Sequence, residues 1–251
     1  MSLALATKIR KHMVSAISDY HMLAEGDRLM VAVSGGKDST IMLLLLDEIR
    51  KRAPFAFTLD PVILDQKQPG FDCAAYSDWL LNQGMNLKII SEDTYSIVKD
   101  KVPEGKTYCG LCSRLRRGIL YNYAADNGYS KIALGHHRDD MNETLLLNMF
   151  YVGRIASMPP KLFSDDGRNT IIRPLAYIPE QWLRDYEQEL SIPVIPCNLC
   201  GSQDQMRRQE MKHLLRDMEQ RIPGVQSSLQ TAMKNIRASQ LLDTKLYDFQ
   251  G

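Results

Sequence analysis

Residues Arg28–Arg52 read RLMVAVSGGKDSTIMLLLLDEIRKR. The first six residues are mostly apolar and predict a strand over Arg28–Val33 that ends at two adjacent glycines. From Lys37 onward the apolar density and the length predict a helix over Lys37–Arg52. A strand therefore enters a glycine loop and a helix leaves it. Exposed N–H groups at such a helix start favour an anion. Gly35 and Gly36 let the backbone approach a ligand closely, and Ser34, Ser39 and Thr40 offer hydroxyls.

Working outward, the same alternation recurs. A lead-in helix is expected over residues 3–23. Strands are expected at Phe57–Leu64, Asn86–Ile90, Lys131–Leu134 and Thr170–Arg173, where Pro174 ends the last. Helices are expected near Asp72–Asn82, Ser113–Asn127 and Asp139–Phe150. Strands separated by helices of this length predict an α/β fold, a mainly parallel sheet with helices on both faces. Helical additions extend it at both ends. The expected organisation is an N-terminal helical segment over 1–25, an α/β domain over 26–177 that contains the glycine loop and a helical region over 178–251 packed on that domain.

The 251 residues suffice for one large domain or two small ones. With 31 basic and 30 acidic residues, the net charge of +1 neither demands nor excludes nucleic acid, because local patches matter more than the sum. The longest strongly apolar run, Ile41–Leu46, is far too short to cross a bilayer. The N-terminus does not read as a secretory signal. The chain is expected in the cytoplasm, without a membrane. Five cysteines, Cys73, Cys109, Cys112, Cys197 and Cys200, argue against a disulfide framework.

Two familiar nucleotide loops do not fit. A Walker loop needs glycine where Val31 stands and Ser or Thr where Asp38 stands. The dinucleotide pattern G-x-G-x-x-G is absent as well. What remains, S-G-G-x-D-S between strand and helix, resembles the pyrophosphate loop (PP-loop) of ATP pyrophosphatases, enzymes that split ATP into AMP and pyrophosphate. Asp38 beside phosphates makes sense with Mg²⁺ between them, since that ion is commonly held by one or two carboxylates plus phosphate oxygens. A second acidic group stands in ALGHHRDDMNET, at another strand-to-helix junction. There Asp139 reads as the helix cap. Asp140 reads as a metal or catalytic carboxylate facing the same crevice. His136 and His137 are either acid–base groups or turn residues satisfied by hydrogen bonds.

Four cysteines form two C-x-x-C pairs, CGLC and CNLC. That spacing suits structural zinc, an iron–sulfur cluster or a thiol that carries sulfur as a persulfide. Cys73 has no near partner in sequence and reads as structural.

A set of segments in order narrows the choice: SGGKDS, LDQKQPGF, VPEGKT, CGLCSRLRRGILY, KIALGHHRDD, MPPKL, IIRPLAY, IPCNLCGSQ and DTKLYDFQG. Together they resemble the bacterial tRNA 2-thiocytidine synthetases, also called tRNA-cytidine(32) 2-sulfurtransferases. The resemblance implies an adenine-nucleotide-binding fold. It implies that ATP activates the C2 oxygen of a cytidine in the tRNA anticodon loop and that sulfur then displaces it. A [4Fe–4S] cluster is implied at Cys109, Cys112 and Cys200, leaving one iron without a protein ligand. Cys197 would be spare, structural or an alternative ligand. The nucleotide site implied comprises Ser34, Gly35, Gly36, Lys37, Asp38, Ser39, Asp65 and Gly135. Lys37, Asp38 and Asp140 would be catalytic, and Asp38 and Asp140 would hold Mg²⁺. A cysteine desulfurase as sulfur source and a homodimer are implied as well.

Residues 99–117 carry six basic side chains against two acidic ones, a stretch suited to tRNA phosphates. Helical spacing puts Arg114 and Arg117 on one face and turns Arg116 away, so the first two are the tRNA-binding candidates. The competing readings are a lysidine synthetase, a 2-thiouridine synthetase and a zinc-stapled RNA-binding module with an inactive loop.

Overall fold

The structure is a computed structural model and describes residues 2–101, 109–195 and 203–249. The chain opens with α1 (Ser2–Asp19), then β1 (Arg28–Val33), α2 (Lys37–Arg50), β2 (Thr58–Asp65), α3 (Ala74–Asn82) and β3 (Lys88–Ser91). Next come α4 (Thr94–Lys101), α5 (Cys109–Asp126), β4 (Lys131–Leu134) and α6 (Arg138–Leu147). After α6 follow β5 (Lys161–Phe163), β6 (Thr170–Ile172), α7 (Glu180–Glu187), α8 (Gln203–Arg221) and α9 (Val225–Ala232). The six strands form one sheet in the order β3-β2-β1-β4-β6-β5, parallel except for β5.

Side-chain alternation along β1 explains why both faces are covered. Leu29, Val31 and Val33 join a cluster with Ile9 and Met13 of α1, Ile41 and Leu45 of α2, and Leu183 of α7. Met30 and Ala32 point the other way, against Leu120 and Ala124 of α5. A strand buried on both sides reads as a continuous apolar run, as RLMVAV does. A third cluster, Leu146, Met211 and Leu215, docks α8 on α6.

Two elements went unanticipated and one helix ends early. The helix α4 is short, with Thr94 and Val98 buried one turn apart. The edge strand β5 has three residues, and Leu162 and Phe163 are exposed, so it carries no alternation to read. The helix expected to reach Phe150 gives way at Asn148–Val152 to a π-turn, closed by Gly153 at φ +71°. By contrast α5 begins at Cys109, four residues before the expected start, so the first cysteine pair lies in its first turn. Among the described residues no helix is long and apolar enough to cross a membrane.

Candidate active site

In a parallel sheet, ligands bind beyond the carboxyl ends of the strands, where the strand order reverses. Here that point lies between β1 and β4, because β2 and β3 follow on one side and β6 and β5 on the other. The residues leaving β1 are Ser34–Gly36, and those leaving β4 are Gly135–His137. Ala32 pairs with Leu134, so the two exits lie side by side. A Cβ on Gly135 would come within 3.0 Å of the Ser39 backbone. Glycine is what allows the β4 exit to pass this close to the start of α2.

The glycine loop is held by its own hydroxyls. Ser34 N–H donates to Ser39 Oγ at 3.1 Å, and Ser39 Oγ donates to Gly36 O at 3.2 Å. Thr40 Oγ1 donates to Gly36 O at 2.8 Å and lies 2.8 Å from the Tyr76 hydroxyl. Burial pushes the Tyr76 phenol up to about 12, so it stays protonated. Ser39 and Thr40 are buried and shape the loop, while Ser34 stays exposed. Gly36, the N-cap of α2, has no side chain to cap the helix, and its own N–H donates to Ser34 Oγ at 3.4 Å. The first N–H groups of α2 are therefore left to a ligand.

Lys37 and Asp38 open α2, with Nζ 3.2 Å from Asp38 Oδ2. Asp38 Oδ1 is buried and makes no hydrogen bond among the described residues. A buried carboxylate oxygen with no donor suits a cation, which fits Mg²⁺ beside phosphates. Lys37 Nζ also lies 3.9 Å from Glu180 Oε1.

At the start of α6 the structure reverses one reading from sequence, the helix cap. Asp140, not Asp139, makes the cap: its Oδ2 accepts from His137 N–H at 3.0 Å, and its own N–H donates to His137 Nδ1 at 3.4 Å. Asp139 Oδ2 instead accepts from Glu180 N–H at 2.9 Å and ties α6 to α7. The reason is geometric. A reciprocal capping box needs the carboxylate at the third helical position, and α6 starts at Arg138. His137 is buried and acts as that cap. Burial, with Arg173, Arg208 and His137 nearby, pushes His136 down to about 4, so its imidazole is neutral. Glu143, one turn beyond Asp140, is pushed up to about 7 by burial and by Asp140, although Arg208 lies 3.5 Å away.

Asp65 ends β2 on the same edge. Its carboxylate accepts from Lys67 N–H at 2.8 Å and from Lys67 Nζ at 2.9 Å. Burial acts upward there, but the Lys67 bonds outweigh it and lower the pKa. The next residue, Gln66, is buried, and its Oε1 accepts from Cys112 Sγ at 3.2 Å and Thr94 Oγ1 at 3.2 Å. Cys112 therefore stands at the carboxyl edge of β2, the neighbour of β1. Cys109 is the first residue of α5, but its side chain lies outside the described residues, as do Cys197 and Cys200 and the segment VPEGKT with Glu104 and Lys106. Burial, with Asp65 and Asp72, raises the Cys73 thiol, so it stays protonated and unreactive. Arg114 and Arg117 are both exposed on α5 and Arg116 is less so, as the helical spacing predicts.

Three residues were not singled out as site residues from the sequence, although Gln66 and Ile195 stand in the segments LDQKQPGF and IPCNLCGSQ. Gln66 holds Cys112, Glu180 holds Lys37, and Ile195 N–H donates to Gly35 O at 3.0 Å. Each acts across a long chain separation that no local pattern encodes. A separate apolar cavity of about 820 Å³, lined by Met141, Leu145, Met158, Leu229 and Met233, brings none of the site residues together.

The loop and its place at the strand reversal define a nucleotide-handling enzyme of the PP-loop class, and a PP-loop domain model matches residues 3–196. A tRNA-cytidine(32) 2-sulfurtransferase from Bdellovibrio bacteriovorus is 55% identical over 249 residues, covering 99% of this chain and 96% of that one. Another, from Methylococcus capsulatus, is 54% identical over 245 residues and covers 98% and 85%. The chain belongs to the tRNA-cytidine(32) 2-sulfurtransferase family. Among solved structures, the U34-tRNA thiolase NcsA from Methanococcus maripaludis, with its [4Fe-4S] cluster, matches with a TM-score of 0.74 at 20% identity. That match covers 95% of this chain and 82% of the thiolase, a likeness of fold.

Proposed function

We propose that this enzyme thiolates tRNA with ATP, converting cytidine 32 of the anticodon loop into 2-thiocytidine and releasing AMP and pyrophosphate. The observation that carries the reading is the position of Cys112. Its sulfur hydrogen-bonds Gln66 at the end of β2, one strand from the glycine loop at the end of β1. Adjacent strands lie about 4.8 Å apart, so thiol chemistry and a phosphate site share one sheet edge.

The roles proposed are these. The loop N–H groups at Gly35, Gly36 and the start of α2 grip phosphate oxygens, with Ser34 and Lys37 adding contacts and charge. Asp38 and Asp140 would hold Mg²⁺, which when bound offsets charge on the phosphates. Asp65 and Gly135 border the nucleotide, and Ser39 keeps the loop in shape. The C2 oxygen of the base attacks the α-phosphate and pyrophosphate leaves. Sulfide then replaces the oxygen, which departs with AMP. Cys109, Cys112 and Cys200 would hold a [4Fe–4S] cluster, which when bound supplies a soft site for the incoming sulfur. The target base already lies in a loop, so little unpairing is needed to reach the site. A cysteine desulfurase as donor, a homodimer, a cytoplasmic location and the organisation 1–25, 26–177 and 178–251 complete the proposal.

The test is direct. Anaerobically prepared protein given tRNA, Mg-ATP and a sulfide source should form 2-thiocytidine with one AMP per thiolated base. Thiouridine in its place, or AMP without thiolation, would overturn the reading. Cys112→Ser should lose bound iron and acid-labile sulfide while Cys73→Ala keeps both. Metal and sulfide analysis decides, and iron retained in the Cys112 variant would remove the proposed ligand.

Arg114 and Arg117 are proposed to bind tRNA phosphates beside the cysteines. The double alanine variant should bind tRNA more weakly, with a shallower dependence on salt, while ATP binding and iron stay unchanged. An unchanged salt slope in a filter-binding titration would place the tRNA path elsewhere.

A further inference from the structure

Glu180 is the point where three cationic side chains meet. It is the first residue of α7 and is buried. Its Oε1 accepts from Arg184 Nη2 at 2.7 Å and from Lys212 Nζ at 2.8 Å. Lys212 Nζ also lies 2.7 Å from Oε2, and Lys37 Nζ lies 3.9 Å from Oε1. Burial acts upward on this carboxyl, but Lys212 and Arg184 outweigh it and hold it at about 2, so it is ionised.

One carboxylate cannot neutralise three cations. Lys37 shares its charge with Asp38 as well. Arg184 and Lys212 have Glu180 as their common hydrogen-bonded partner, with Asp38 and Asp139 also acting on Arg184 through space, so a cluster of three cations stands next to the glycine loop. Both remain partly exposed, at 38% and 30% of the side chain, so each can turn toward a ligand. The supporting elements are fixed. Asp139 ties the start of α7 to α6, and Met211, beside Lys212, packs α8 on α6. Arg208, one turn before Lys212, faces Glu143 instead.

We propose that Arg184 and Lys212 form a second phosphate subsite, beyond the glycine loop, that holds the pyrophosphate end of ATP. Glu180 presets the two side chains before nucleotide arrives. The inference rests on the reading that ATP is split at this loop. The α-phosphate must stay open to the attacking base, which leaves the β- and γ-phosphates for side chains flanking Lys37. Those phosphates also keep most of the charge when they depart as pyrophosphate, so cations placed there aid departure.

Titration calorimetry of the full-length protein with Mg²⁺ and either inorganic pyrophosphate or AMP tests this. Lys212→Gln should weaken pyrophosphate binding about tenfold, the loss expected for one charge-assisted hydrogen bond, and leave AMP binding unchanged. Lys212→Arg should restore most of the pyrophosphate affinity, which a variant with a damaged fold would not. Unchanged pyrophosphate affinity, or equal losses for both ligands, would overturn the subsite. If the wild-type protein splits ATP to AMP and pyrophosphate yet Lys212→Gln binds pyrophosphate normally, the subsite alone fails. If the wild-type protein does not split ATP this way, the underlying reading fails with it.

Discussion

Asp38→Ala is expected to abolish AMP formation, by about 10²–10³-fold or more, while the protein keeps its fold. Losing one preorganised group aimed at developing charge costs about that much in turnover. The structure explains why the fold should survive. Asp38 Oδ1 is buried and makes no hydrogen bond among the described residues, and Oδ2 contacts only the neighbouring Lys37 in the contacts described. An unsatisfied buried oxygen costs about 1–3 kcal/mol, so its removal should leave the melting temperature unchanged or slightly raised. Asp38→Asn keeps the shape and removes the charge, and it should fail to the same extent. Single-turnover AMP assays across a Mg²⁺ titration check both variants. Wild-type AMP formation in Asp38→Ala would remove Asp38 from the chemistry.

What could be read from the sequence was what is local in the chain. The strands β1 and β4 fall where their apolar runs predict, and α2 starts at Lys37 as expected. In these segments the periodicity, the glycine punctuation and the burial all agree. The loop was legible for the same reason, since strand, glycines and helix start are contiguous. The antiparallel strand β5 escaped because three residues at an exposed edge leave no pattern. The π-turn after Leu147 escaped because its residues continue a helical composition, and only Gly153 marks the end. In the site, Glu180, Gln66 and Ile195 act through contacts far apart in the chain. That the helix cap is Asp140 and not Asp139 turned on where α6 starts, a one-residue difference that sequence patterns do not resolve.

Gly35→Ala is expected to weaken ATP binding and iron retention together, because Gly35 lies in the glycine loop and touches Ile195, two residues before Cys197 in sequence. Gly35 has φ +74°, a left-handed conformation that costs an alanine about 1–2 kcal/mol. An added Cβ would also lie 2.6 Å from Cβ, Cγ1 and Cδ1 of Ile195, and overpacking of that kind costs about 1–3 kcal/mol. Against a total stability of about 5–15 kcal/mol, the sum weakens the protein without unfolding it. Relief comes from moving one of two things, the loop or the segment 191–195. Ile195 is buried and donates its N–H to Gly35 O, so displacing either one strains the other. Cys197 and Cys200 follow Ile195 within five residues of sequence, which is why a displaced Ile195 is expected to disturb iron retention. Gly36→Ala is the control. Its φ is −92° and its added Cβ would meet nothing closer than Ser34 Oγ at 3.4 Å, so it should bind ATP and iron nearly normally. Adding Ile195→Gly to Gly35→Ala removes the clashing side chain, Cβ included, but not the backbone strain, so iron should recover more than ATP affinity does. Iron analysis and ATP titration on the three variants decide the matter. Wild-type iron content in a Gly35→Ala protein that has lost ATP affinity would show that the loop and the second cysteine pair are not coupled through Ile195.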